Sequence, residues 1–200
     1  MKTLLKKSLL VSLAGIISVI TVQVASAQTF AENALKRKAE NLSGDRFTIF
    51  TATRKGARVF AYRKPKNEIL TAIDRGLDDL FEAARKHGYN SRLRHSDYVI
   101  FIAKPDRMTD SDGNYIPNFA IPVAQYAGTD YDKGGFMYAA GMVIGYNPAA
   151  FMIAENEKKL EQVSEVVRFE GEHLILYHND RRRYNETADH SRGGGHPILN

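Results

Sequence analysis

The chain has 200 residues, 44% of them hydrophobic and 26% charged, with a formal net charge of +5 and no cysteine. This length supports one domain with a real core. The lack of cysteine excludes disulfides, thiolate metal sites and a cysteine nucleophile, so packing or a metal held by other donors must supply rigidity.

The N-terminus reads as a secretory signal peptide over residues 1–27. Lys2, Lys6 and Lys7 form a positive head, an apolar run extends from Leu9 to Val24, and Ala25-Ser26-Ala27 supplies a small-x-small cleavage site. The mature chain then begins at Gln28 and is exported, periplasmic or secreted. It carries 25 Lys+Arg against 23 Asp+Glu. A formal charge of +2 gives no general basis for nucleic-acid binding. No other segment is apolar enough to span a bilayer.

Ala31 to Leu42 has the makings of a short helix. Phe47 to Thr53 alternates and is β-branched, Arg54-Lys55-Gly56 makes a turn, and Arg58 to Tyr62 returns as the second strand of a hairpin. Asn67 is placed to cap a helix from Glu68 to His87, whose apolar residues from Ile69 to Ala84 recur at helical spacing. Gly88 suits its stop, and His87 complements the helix dipole at the surface. His95 reads as structural or exposed. Tyr98 to Ala103 (YVIFIA) is a buried strand. Asp110 to Asn114 has the oxygen density of a calcium loop without its alternating ligand series or distal glutamate, and reads as an Asp-Gly turn. Ala120 to Ala127 and Phe136 to Ile144 are further strand candidates. Met137, Met142 and Met152 suit core filling.

A second strong helix is expected from about Asn156 to His178, followed by Arg181-Arg182-Arg183 and a terminal loop containing Gly193-Gly194-Gly195. The order predicts one α+β domain over 28–200 with a mixed or antiparallel sheet, two main helices, and a histidine-rich segment at 178–200.

Four of the six histidines fall in the last 28 residues: His173, His178, His190 and His196. Imidazole together with carboxylate is the donor set of zinc and other divalent first-row metals. At about 100° per residue, Leu160, Val163, Val166, Val167, Leu174 and Tyr177 define the apolar stripe of the second helix. Glu170 lies about 20° from Val163, and His173 about 20° from Val166, so both point to the buried side. Glu172 falls on the opposite, solvated side. A buried carboxylate and imidazole need a metal or a polar network. His178 sits about 140° from His173, so it joins the same ion only if the helix ends near Tyr177. Asp189-His190 offers a ligand with an orienting carboxylate, and the three glycines let the backbone bring His196 back beside His190.

Phe169-Glu170-Gly171-Glu172-His173 resembles the zincin metallopeptidase motif HExxH with its first histidine replaced by phenylalanine. The order of helix, buried strand, edge-like strand and motif helix is also similar to a zincin. The resemblance implies that His173 is a zinc ligand and that Glu170 is the general base. Phe169 stands where the first ligand would be, so His178, His190 or His196 must complete the site, or Glu170 must itself be a ligand. The implied function is an exported metal-dependent hydrolase of peptide or protein substrates, with Tyr177 or Tyr184 as oxyanion donor. Two alternatives stand beside it. One is a non-catalytic zincin-like descendant serving as an envelope or secreted binding protein. The other is a metal-dependent nuclease using the arginine run.

Overall fold

The computed structural model describes residues 30–90, 92–128 and 132–199. The expected signal peptide lies outside the described residues. Leu35–Asn200 forms one compact unit. Its helices are α1 (residues 30–43, of which 35–43 fall in this unit), α2 (Asn67–Lys86), α3 (Leu160–Asn179) and α4 (Arg181–Thr187). The strands are β1 (Ile49–Ala52), β2 (Arg58–Ala61), β3 (Tyr98–Ala103), β4 (Met108–Thr109), β5 (Tyr115–Ile116), β6 (Phe119–Pro122), β7 (Phe136–Ala139), β8 (Gly141–Tyr146) and β9 (Ala149–Ala154).

A five-stranded mixed sheet in the order β1-β2-β3-β9-β8 forms the centre. β1 and β2 are the expected hairpin. Parallel neighbours need a crossover, and α2 provides the one between β2 and β3. β9 lies parallel to β3 with Ile100 opposite Phe151, and turns back antiparallel onto β8, an edge strand. Two-stranded pairs β4–β5 and β6–β7 lie in the chain between β3 and β8. The architecture is α+β, with both main helices where the apolar periodicity places them.

β3 and β9 are buried along their whole length because each face of the sheet is covered. Ile100, Ile102, Phe151 and Ile153 pack with Ile73, Leu77, Val163 and Val167 of α2 and α3. Phe101 and Met152 face the other way, packing with Ala39 of α1, Phe119 of β6 and Ile121. In this second core Phe60 stacks on Phe101, and Phe47 meets Phe101 at a tilt of 59°.

Several sequence expectations require correction. Helix α3 begins at Leu160 rather than near Asn156, because Asn156 Oδ1 accepts from the backbone N–H groups of Lys158 and Lys159 and holds a turn ahead of it. Asn67 is the first helical residue of α2, not its cap. The Ala120–Ala127 segment stops as a strand at Pro122 and continues into a short 3₁₀ turn at Ala124–Tyr126. Phe136–Ile144 divides at Ala140 into β7 and β8, which pair with different partners. Ala149–Ala154 (AAFMIA), not assigned from sequence, is a central strand. The post-helical segment contains α4. The Asp110 turn forms as expected: its carboxylate accepts from the N–H groups of Asp112 and Asn114. Among the described residues no helix is long and apolar enough to cross a membrane.

Helices α2 and α3 approach closely at two glycines. A Cβ on Gly76 would sit 2.6 Å from the Ser164 carbonyl oxygen, and one on Gly171 would sit 2.5 Å from Leu80 Cδ2. Ser164 Oγ donates to the Ala72 carbonyl at 2.8 Å across the same crossing. Gly76→Ala should therefore destabilise the protein by about 1–3 kcal/mol despite the better helix propensity of alanine, because a backbone oxygen is in the way. Thermal unfolding of the variant against wild type measures this.

Candidate metal centre

Helix α3 supplies the base of the site. Its segment 169–173 meets the sheet, α2 and residues 196–198. Gly171 faces Leu80 of α2. Glu170 and His173 line a cavity of about 400 Å³. Glu172, expected on the solvated side, is fully buried. Its exposed face on an isolated helix is covered by residues 196–198: Glu172 Oε2 accepts from His196 Nδ1 at 2.7 Å, and Oε1 accepts from the Ile198 backbone N–H at 2.7 Å. Two hydrogen bonds offset the cost of taking this carboxylate out of water.

The terminal segment reaches that place through a sequence of local contacts. Asp180 caps α4 by accepting from the Arg183 N–H, and its other oxygen accepts from the Tyr89 hydroxyl. Arg183 donates to the Pro197 carbonyl at 3.3 Å, and the Arg181 guanidinium lies 3.2 Å above the Tyr177 ring. Two of the three clustered arginines thus serve internal contacts. Beyond α4, Gly194 N–H donates to the Asp189 carbonyl and Gly195 N–H to the Thr187 carbonyl. A Cβ on Gly194 would stand 2.3 Å from the Thr187 oxygen, so only glycine allows this reversal. Gly193 adopts φ +82°. The fold-back expected from the three glycines brings the rings of His190 and His196 to 4.8 Å between centroids.

His173, His190 and His196 each offer a ring nitrogen within 4.8 Å of the others. Metal–nitrogen bonds of about 2.0–2.1 Å place two ligand nitrogens no more than about 4.2 Å apart, so small rotations of these side chains are needed to bring the three nitrogens onto one ion. The donor chemistry agrees. Since the Glu172 carboxylate takes the His196 Nδ1 proton in a hydrogen bond, Nε2 keeps its lone pair for a metal. His173 is 8% exposed, and its Nδ1 is buried with no hydrogen-bond partner among the described residues. Burial, followed by the neighbouring His196 and His190, pushes the His173 pKa down to about 3. Partial desolvation, and then His196, lowers the His190 pKa. Neutral imidazole is the form that ligates. His173 forms the buried side of the group, His196 is half-buried, and His190 is exposed.

Glu170 lies against β8. A Cβ on Gly141 would fall 2.6 Å from Glu170 Cγ, so the glycine makes room for the carboxyl side chain. Burial pushes the Glu170 pKa up to about 8. Opposite it, the cavity is lined by Met137, Met142, Tyr146, Tyr184 and His190. The Tyr146 and Tyr184 hydroxyls share a short hydrogen bond, and burial raises the Tyr146 pKa. Tyr177 stacks on Tyr146 at 4.2 Å between centroids and does not line the cavity.

Of the sequence candidates, the structure brings together His173, His190 and His196, with Glu170 in the same cavity. His178 is not among them: its Nε2 donates to the Tyr146 carbonyl at 2.8 Å. Helix α3 persists to Asn179, so the large angular separation from His173 is maintained. Glu172, Gly141 and Tyr146 were not picked out for the site by sequence reasoning. The only sequence signal for Glu172 was its place beside His173. No family model, curated protein or solved structure matches the chain.

The Glu170 carboxyl ordinarily ionises near 4.5 and in the folded chain near 8. Between those values the unfolded chain binds fewer protons, so this residue's contribution to stability falls as pH rises. In chelator, the melting temperature of Glu170→Gln minus that of wild type should increase from pH 5 to pH 8. A difference independent of pH would show that the carboxyl remains solvated.

Proposed function

We propose that this protein is an exported metal-dependent hydrolase, acting on peptide or protein substrates, with zinc or another divalent first-row metal held by His173, His190 and His196. The observation that carries the reading is the convergence of three ring nitrogens within 4.8 Å beside a cavity that also contains Glu170. Export rests on the N-terminal sequence. The peptidase class rests on the resemblance of residues 169–173 to HExxH. His190 and His196 together stand in for the ligand that Phe169 cannot supply.

Three protein ligands leave a coordination position for substrate or water, the arrangement of catalytic rather than structural zinc sites. The chemistry such an ion supplies is Lewis acidity toward a carbonyl and toward water. Glu170 is then the general base. It lines the same cavity as His173 and His190, and its burial keeps its proton affinity in the range useful near neutral pH. Glu172 fixes the tautomer of His196 and so acts through it. Tyr184, whose hydroxyl is hydrogen-bonded with that of Tyr146, lines the cavity and is the tyrosine placed to donate to a developing oxyanion, whereas Tyr177 does not line it. Met137, Met142 and Val143 form an apolar wall suited to a substrate side chain. A self-contained polar network, as in a non-catalytic descendant, leaves the buried Nδ1 of His173 unexplained.

The purified protein should retain stoichiometric divalent metal after dialysis, measured by elemental analysis. His173→Ala should lose it. Glu170→Gln should keep it while hydrolysis of an unfolded protein substrate falls by about 10²–10⁴. A metal-free wild type whose melting temperature is unchanged by Zn²⁺ would overturn the proposal, since a ligand at 100 times its Kd adds about 2.7 kcal/mol of stability.

A further inference from the structure

We propose that Phe169 is a positioning residue for the metal ligand His196, a role that rests on the metal-centre reading above. Phe169 occupies the position at which the resembling motif carries a histidine. It is 38% exposed, an unfavourable placement for a large apolar ring that buys little burial. Its ring lies against His196, with 4.6 Å between centroids and an interplanar angle of 21°. That is a stack, unlike the 45° and 88° at which His173 and His190 meet the same imidazole.

The stack supplies a restraint that the hydrogen bond lacks. Glu172 Oε2 holds His196 through Nδ1 in the plane of the ring. That bond sets the tautomer and one direction but leaves the ring free to tilt about it. A flat group against the face opposes the tilt and points Nε2 toward His173 and His190. The two restraints come from neighbouring parts of one helix turn, since residues 169 and 172 are about 60° apart around α3. Leucine fills volume at such a site but offers no flat face. Tyrosine keeps the face, and at an exposed position its hydroxyl reaches water.

The test uses the full chain with Zn²⁺ as the probe, titrated in competition with a chromophoric chelator. F169L should bind Zn²⁺ roughly tenfold more weakly than wild type, in the range expected when a partner that orients a ligand is removed. F169Y should stay near the wild-type affinity. In the chelated protein, the His196 ring protons should resonate upfield in wild type and F169Y and move to ordinary positions in F169L. The exposure of Phe169 makes F169L a foldable variant, checked by its melting temperature in chelator. Wild-type Zn²⁺ affinity in F169L, or unshifted His196 resonances in wild type, overturns the role of Phe169 alone. A wild-type chain that binds no Zn²⁺ overturns the metal reading itself, and the ligand-positioning role with it.

Discussion

The buried carboxylate of Glu172 is the constraint on which the rest of the site depends. A carboxylate with no exposure must find donors, and both of its donors come from the last five residues of the chain. The terminal segment therefore has to dock on α3 in one register. Once it does, His196 is delivered with a defined tautomer, and Ile198 enters the core between α2 and α3. The polar contact specifies where the segment goes, and the apolar one stabilises it there. Arg183 on the Pro197 carbonyl and the Gly194 reversal restrict the path between.

The helix geometry explains how five consecutive residues carry so many roles. At about 100° per residue, Glu172, Phe169, His173 and Glu170 follow one another around an arc of about 160°, while Gly171 falls outside it. His196 contacts the first three of these, and the cavity begins at the last two. Gly171, on the remaining side, lets Leu80 approach and sets α3 firmly against α2. A helix this closely packed makes a rigid platform, and a site built on it gains precision from that rigidity. His190, at the start of a short 3₁₀ turn, and His196, in the irregular segment beyond it, lie outside the main helices, so their precision has to come from the platform below.

Edge strand β8 completes the cavity from the sheet side. The absence of a side chain at Gly141 lets the strand lie next to Glu170, whose pKa burial raises. Tyr146, at the other end of β8, ties the strand to the helices through the Tyr184 hydroxyl and through its carbonyl, which accepts from His178. His178 is therefore engaged with the β8 backbone and lies outside the cluster of His173, His190 and His196.

Local pattern was enough to read the β1–β2 hairpin, β3, the two main helices and the inward direction of Glu170 and His173. Each depends on periodicity, or on an apolar run bounded by turn residues, and both are written in adjacent positions. The three-glycine turn could also be read, because glycine alone permits the backbone reversal that places His196 beside His190. What sequence could not decide was pairing. AAFMIA is too rich in alanine to announce a strand, and it becomes one because β3 and β8 offer it partners on either side. Glu172 sits on the polar side of an isolated amphipathic helix, and only the docking of residues 196–198 turns that side inward. The choice among His178, His190 and His196 was likewise tertiary. One-dimensional spacing fixes the angle of a side chain on its own helix, but not which distant segment folds across it.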